Sequence, residues 1–323
     1  MEIIKRSGRG YAQDPTKFLD FSRFADQGAE NVALVEAAFE QAAGWEQFDL
    51  NEQELDRIKQ KKVVRLEFEE PNKFFLGDDQ NLYDGDFYKV FTLCPYTAEY
   101  LNIQQGVDRR VPIFFPFNEQ YIPARQKKEI DIIYTGHIVS KHVLRDLKTI
   151  SQFNYRLVSN SKHSLVTNKG ANYEDKIDLI SKSRVTLVHN LLYPRFYHLI
   201  NIWRYSNWGD NKAFSQLPSP LNAAQFFINR SGMIVPQLKS RVFEAAFAQS
   251  LILCKRDPFN VIERFFEPDK EFIYYEEGQL TSTLSKILAN YDTYQPIVER
   301  AFERAQAEYT TTAFFNKYIR EIK

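Results

Sequence analysis

The chain has 323 residues and no formal net charge, with 42 Lys and Arg against 42 Asp and Glu. It therefore lacks the basic footprint of a general nucleic-acid binder, and no nucleic-acid partner is expected. Its length and 44% hydrophobic content allow two α/β domains with sizeable cores. No uncharged apolar run nears the roughly 18 residues of a membrane span.

The first residues, MEIIKRSGRGYAQ, lack a signal-peptide core, so a cytoplasmic protein is expected, with peripheral membrane contact left open. Residues 1 to about 30 show no clear element. Glu30 to Ala43 is Ala-rich with apolar residues at helical spacing and reads as a helix. Asn51 to Lys59 is a charged helix, capped by Asp49 or Asn51. Lys62 to Phe68 alternates as a strand and stops at Glu69-Glu70-Pro71-Asn72, because Pro cannot continue a central ladder. Lys89 to Cys94 is the next strand, Pro95 opens a helix, and Val111 to Phe115 is a short strand. Cys94 and Cys254 both sit in apolar strand-like runs without zinc spacing and read as buried thiols.

The polar, basic stretch Tyr121 to Lys128 divides the chain into domains of 1–127 and 128–323. Strands are expected at Glu129 to Thr135, Tyr155 to Ser159, Arg184 to His189, Leu251 to Cys254 and Glu271 to Tyr275. Helices are expected at Ser140 to Ile150 and Tyr173 to Lys182, in the small-residue segment around Ala245, and in a second acidic segment before Glu271. Gln295 to Ala307 and Thr312 to Ile322 close the chain, the last helix returning toward the first domain. Strands and helices alternate from residue 129 onward, the pattern of a doubly wound parallel sheet. An aromatic insert, residues 191–230, interrupts it and carries Trp203 and Trp208 with Arg195, Arg204 and Arg230. Acceptor site, lid, dimer contact and plain core all remain open for it.

Open parallel sheets bind ligands beyond the carboxyl ends of their strands. Gly136 and His137 follow one strand, and His189 and Asn190 end another, so these four are candidates. Glycine at Gly136 permits close backbone approach. Each has a bland alternative, a strand-end turn or a core-edge imidazole. Asp84-Gly85-Asp86 has the form of a metal-binding Asp-X-Asp but follows no apolar strand and reads as a polar turn.

DIIYTGH (131–137), YEDKIDLISKSRVTLVHN (173–190) and above all KSRVFEAAFAQSLILCKRDPFNVIERFFEPDKEFIYY (239–275) resemble the donor-binding domain of GT-B glycosyltransferases. The resemblance is to the group-1-like branch that includes CgeB-type proteins, and it covers about residues 129–323. It implies an α/β fold of two Rossmann-like domains facing across a cleft. It also implies transfer of a hexosyl or related sugar from a nucleotide diphosphate sugar, without a required metal or other cofactor. The acceptor would be a glycan, a lipid-linked molecule or a protein, in cell-surface or other glycan synthesis. In such relatives the Glu of the small-residue helix holds the ribose hydroxyls, and Glu244 occupies that position at the opening of the second half. Arg241 and Lys239 are the matching candidates for the diphosphate, where a cation stabilises the leaving group. Many retaining relatives carry a second Glu eight residues earlier, where this chain has Pro236 followed by Gln237, which joins the donor-side candidates. That departure keeps open a non-catalytic nucleotide- or sugar-binding protein on the same fold; the aromatic insert separately leaves open an interaction or assembly role. An inverting enzyme would need a base on the first domain, and Glu69 and Glu70 are the candidates beside Glu67.

Overall fold

The computed structural model describes residues 1–5, 19–36, 50–68, 87–95, 98, 99, 102, 106–138, 140–192 and 235–322. Glu69, Glu70, Asp84-Gly85-Asp86 and residues 193–230 of the aromatic insert lie outside them.

Two five-stranded parallel sheets form the molecule. The first takes its strands in chain order: β1 (Glu2–Lys5), β2 (Val32–Glu36), β3 (Lys62–Glu67), β4 (Lys89–Thr92) and β5 (Arg110–Pro112). Pro112 is tolerated because β5 is an edge strand. Helix α1 (Glu52–Lys59) precedes β3 and starts with a capping box, in which Asn51 and Glu54 each accept the other's backbone N–H at 2.9 Å.

The expectation of a helix over Glu30 to Ala43 fails where it can be checked, since Val32–Glu36 is a strand. Val32, Ala33, Leu34 and Val35 are all buried, between β1 and β3. A strand covered on both faces is apolar throughout, so its sequence lacks the alternation that separates strand from helix. Strand β1 shows no pattern for a different reason: it is a four-residue edge strand, EIIK, with a charged residue at each end.

The second sheet contains β6 (Ile130–Thr135), β7 (Tyr155–Val158), β8 (Ser183–Val188), β11 (Leu251–Lys255) and β12 (Ile273–Tyr275), in the order β12-β11-β8-β6-β7. Its register pairs Ile132 with Tyr155 and Val185, and Leu253 with Leu187 and Ile273. Alternate residues of each strand face opposite layers. Leu251 and Leu253 join the core beneath α2 (Lys141–Ile150) and α5 (Leu280–Ala289). Ile252 and Cys254 join the core under α3 (Tyr173–Ser181) and α4 (Arg241–Phe247). Both cysteines are free and buried. Helix α5 was not anticipated, although Leu280, Leu284 and Ile287 recur at helical spacing and are buried. The acidic helix expected before Glu271 is only a 3-10 turn, Val261–Arg264, entered through Asn260 at φ 49°.

A two-stranded ribbon, β9 (Leu191–Leu192) against β10 (Val235–Pro236), brings the two ends of segment 193–234 side by side. Both lie just beyond the end of β8.

The chain closes with α6 (Gln295–Glu308), the short α7 (Thr311–Phe314) and a π-helical turn, Phe315–Ile319, in place of one continuous helix over Thr312 to Ile322. This last segment packs on the first sheet. The Phe314 ring lies 5.3 Å from Phe21 and 5.2 Å from Phe91, and Phe315 stacks on Phe24 at 4.6 Å. Phe117 donates its N–H to the Tyr309 carbonyl at 3.0 Å and accepts from Thr311 N–H at 2.9 Å. Arg23 bonds Thr311 at 2.7 Å and Thr312 at 3.0 Å and pairs with Glu119. Hence residues from both ends of the chain fasten one junction. Truncating fully buried Phe314 to Ala should lower unfolding free energy by about 3–5 kcal/mol in urea denaturation. A loss below about 1 kcal/mol would show that the return segment contributes little to the core.

Candidate functional site

The strand order of the second sheet reverses once. From β6 the chain moves outward to β7, then crosses back to place β8 on the other side of β6. The connections leaving β6 and β8 diverge to opposite layers, opening a crevice between their carboxyl ends. The residues there are Gly136-His137 after β6 and His189-Asn190 after β8. Helix α4 follows on the α3 side of the sheet.

Arg241, the first residue of α4, reaches across this crevice. Its guanidinium carbon lies 4.8 Å above the Tyr134 ring, close to Gly136. Gly136 has φ +129°, and a β-carbon there would fall 3.0 Å from Arg241 Cζ and overlap Nη2. The glycine is thus required both by backbone conformation and by the arginine. Arg241 Nη1 is buried and has no hydrogen-bond partner among the described residues.

Glu244 lies one turn further along α4, on the same side. Expected at the opening, it sits beneath it, only 1% exposed. Oε1 accepts from the Tyr173 hydroxyl at 2.7 Å and from Lys176 Nζ at 3.0 Å, while buried Oε2 has no partner among the described residues. Tyr173 and Lys176 belong to the first turn of α3, set by Asn172, whose side chain caps Asp175 N–H at 2.7 Å. Burial draws the Lys176 pKa down against the pull of Glu244, and burial beside the carboxylate holds the Tyr173 hydroxyl well above its usual pKa. Tyr173 therefore stays a donor.

Asn190 and Gln237 build the approach to α4. Asn190 is fully buried; its carbonyl accepts from Gln237 N–H at 2.9 Å and its Oδ1 from Lys239 N–H at 3.2 Å. Its amide nitrogen lies 3.6 Å from Cys254 Sγ. Gln237 Oε1 accepts from Lys239 Nζ. Both side chains are thereby used within the fold, holding the turn that launches Arg241. His137 is exposed, its carbonyl accepting from the Tyr134 hydroxyl at 3.3 Å.

His189 is 2% exposed. Its Nε2 lies 2.8 Å from the Tyr275 hydroxyl and 3.2 Å from Asp146 Oδ2, and its Nδ1 is buried without a partner among the described residues. Asp146 Oδ2 also accepts from Tyr275 at 2.9 Å and Lys255 at 3.2 Å. Burial would raise the Asp146 carboxyl, but the hydrogen bond from His189, the Lys255 charge and the hydrogen bond from Tyr275 hold it below the usual carboxylate range. Burial outweighs Asp146 at His189 and lowers its pKa, so the imidazole stays neutral.

No local pattern singles out Tyr173, Lys176, Tyr275 or Lys255. Asp146 left a trace: it is an acid on the buried face of α2, among Val143, Leu147 and Ile150. Glu67 accepts from Arg65 at 3.0 Å and both are buried, which makes it a strand-internal ion pair. Among the described residues, no three His, Cys, Asp or Glu side chains cluster as a metal would require. None of the helices among them is long and apolar enough to cross a membrane.

A model described as glycosyl transferase-like matches residues 140–320, more than half the chain. No curated protein matches the chain in sequence. Among solved structures, HepE of Anabaena, determined with UDP-glucose, aligns over 99% of this chain and 98% of its own at 10% identity, with a TM-score of 0.55. The pneumococcal O-GlcNAc transferase GtfA, determined with UDP and GlcNAc, aligns over 91% of this chain and 57% of its own at 9% identity and a TM-score of 0.48. A glycosyltransferase from Rickettsia africae aligns over 88% of this chain and 74% of its own at 10% identity and a TM-score of 0.45. This chain thus spans little more than half the length of GtfA. The two parallel sheets and the HepE alignment identify the GT-B fold.

One further acid near the crevice has a measurable signature. Asp257, after β11, is 1% exposed; Oδ1 accepts from Phe259 N–H at 2.9 Å, and Oδ2 has no partner among the described residues. Burial raises its pKa to about 6. The folded state then binds a proton that the unfolded chain releases near pH 4. Its stability contribution is present at low pH and is lost as pH rises from about 4 through about 6, a change on the order of 3 kcal/mol. Asp257→Asn should flatten the unfolding free energy across that window; an unchanged pH profile would place Asp257 in a more polar setting.

Proposed function

Because the chain belongs to the glycosyl transferase-like family, we propose that it moves a sugar from a nucleotide diphosphate sugar to an acceptor hydroxyl. The observation that carries the reading is the pair of buried groups on α4 left unsatisfied among the described residues. Arg241 Nη1 is a cationic donor and Glu244 Oε2 an acceptor, one helical turn apart beside the reversal of strand order. Leaving such groups unpaired costs about 1–3 kcal/mol each, more for charges, which a ligand bearing anionic oxygens and hydroxyls would recover. In this reading Glu244 accepts from a ribose hydroxyl. Tyr173 and Lys176 occupy Oε1, so Oε2 is the oxygen left for the ligand.

Arg241 takes the diphosphate, with Lys239 and the Gly136 turn nearby, and stabilises charge on the departing nucleoside diphosphate. Gln237 and Asn190 support the Lys239 turn, and His137 stands at the rim. These fixed cations would supply what a metal supplies elsewhere, and a chelator should leave turnover unchanged. The transferred group is a hexosyl or related sugar. The acceptor is a glycan, a lipid-linked molecule or a protein, met by the first half, 1–127, across the cleft from 128–323. Glu69 or Glu70 would act as base if the reaction inverts. The pattern Arg241-x-x-Glu244 and the run after it favour the CgeB-type branch, and a cytoplasmic enzyme engaged in glycan synthesis.

Pro236 replaces the second acid of many retaining relatives, and this favours one alternative: a protein that binds nucleotide sugars without turning them over. Nucleotide release from UDP-sugars and GDP-sugars separates the two, since a binder shows affinity and no turnover.

Glu244→Ala should weaken UDP or GDP binding by about 1–3 kcal/mol in isothermal calorimetry. Unchanged affinity would remove Glu244 from the site. Gly136→Ala forces the Arg241 guanidinium aside, so it should cost nucleotide affinity while leaving secondary structure intact by circular dichroism. Wild-type affinity in Gly136→Ala would detach Arg241 from the phosphates.

A further inference from the structure

We propose that His189 presents a fixed, unprotonated Nδ1 to the crevice as a hydrogen-bond acceptor, that Asp146 is the positioning residue which fixes it, and that the ligand meets it with a hydroxyl or N–H donor. This deepens the nucleotide-sugar reading and rests on it.

The proton inventory sets the tautomer. Asp146 Oδ2 receives hydrogen bonds from Tyr275 at 2.9 Å and Lys255 at 3.2 Å, and as a carboxylate it only accepts. Tyr275 has a single hydroxyl proton, and it points to Asp146. Its oxygen, 2.8 Å from His189 Nε2, can then only accept. Nε2 therefore carries the proton, which it directs toward Tyr275 and Asp146 Oδ2. A neutral imidazole protonated at Nε2 has a bare lone pair at Nδ1. That nitrogen is buried and unpartnered among the described residues.

Charged and titratable groups face the ring from every layer. Asp146 comes from α2, Lys255 from β11, Tyr275 from β12 and Arg241 from α4. Glu277 pairs with Lys255 at 2.5 Å and also with Arg145, which keeps the outer end of the network neutralised. Lys255 and Arg241 both disfavour a second proton on the ring.

The chemistry of the crevice follows. Tyr134 has the His189 ring 6.0 Å away and the Arg241 guanidinium 4.8 Å away. Among the described residues, one side offers an unpartnered donor, Arg241 Nη1, and the other an unpartnered acceptor, His189 Nδ1. A phosphate oxygen satisfies only the first. A hydroxyl both accepts and donates, and could satisfy either or both. Ligands with a hydroxyl or N–H beside their phosphates are selected over inorganic phosphates, because a buried acceptor left unmatched carries a penalty. Ribose, nucleobase and donor sugar all carry such groups.

The test uses two substitutions that keep different halves of the imidazole. His189→Asn places an amide oxygen where Nδ1 stood. His189→Gln reaches the Nε2 position and leaves nothing at Nδ1. Calorimetry with UDP, UDP-glucose and pyrophosphate is run on both variants and wild type. For UDP or UDP-glucose, Asn should stay near wild type and Gln should lose about tenfold; pyrophosphate should be indifferent to both. A loss seen already with UDP assigns the donor to the nucleoside, and a loss seen only with UDP-glucose assigns it to the sugar. Gln binding both nucleotides as wild type does would overturn this inference alone. Wild type binding neither nucleotide would overturn the nucleotide reading, and this inference with it. Nitrogen-15 NMR of the imidazole gives an independent readout. Wild type should show a proton on Nε2, and Asp146→Asn, whose amide can donate to Nε2, should populate the other tautomer. A proton on Nδ1 in the wild type would also overturn the inference.

Discussion

The reversal of strand order between β6 and β8 is the constraint from which the site follows. Connections from neighbouring parallel strands that lead to opposite layers cannot both cover the sheet edge between them. Gly136 and His189 are brought to that edge although 53 positions separate them in the chain. The first sheet runs β1 to β5 in order and has no such reversal among the described residues. The return of residues 309–319 onto Phe21, Phe24, Phe91 and Phe114 ties the two sheets together.

Around the crevice, buried polar side chains are each held at some atoms and, among the described residues, left unsatisfied at another. Among the described residues, Glu244 has one oxygen held twice and one not at all, His189 has one nitrogen engaged and the other bare, and Arg241 is packed on Tyr134 with Nη1 unpaired. Supporting contacts of this kind order a side chain before ligand arrives, so less freedom is lost on binding. The supports come from separate elements: Tyr173 and Lys176 from α3, Asp146 from α2, Tyr275 from β12. Low dielectric raises the stakes, because an unpaired group costs more there and a matched one gains more.

Much of this organisation was legible in the sequence. The strands of the second sheet announced themselves through β-branched apolar runs, and the helices between them were read at Ser140 to Ile150 and Tyr173 to Lys182, which the structure starts with side-chain caps at Ser140 and Asn172. Glu244 and Arg241 stood out because both lie in a segment similar to a known family. Where reading failed, burial on both faces was one reason and a local backbone turn the other. Val32–Glu36 is covered on both faces and reads as well for a helix. The Val261–Arg264 turn lies in a run acidic and apolar enough for a helix, but the left-handed Asn260 and the tight Asp257 loop cut it short.

Periodicity, capping residues and glycine placement determine elements that are local in the chain, because the forces behind them act over a few residues. The sequence by itself therefore determined an alternating α/β chain in two halves, with Gly136, His189, Arg241 and Glu244 at the ends of its elements. Only the tertiary structure decided that Glu244 is buried beneath the opening, that Lys176 and Tyr173 claim one of its oxygens, and that Asp146 meets His189. Those pairings join residues 43 to 71 positions apart, and the path of the chain between layers, which no local pattern encodes, sets them.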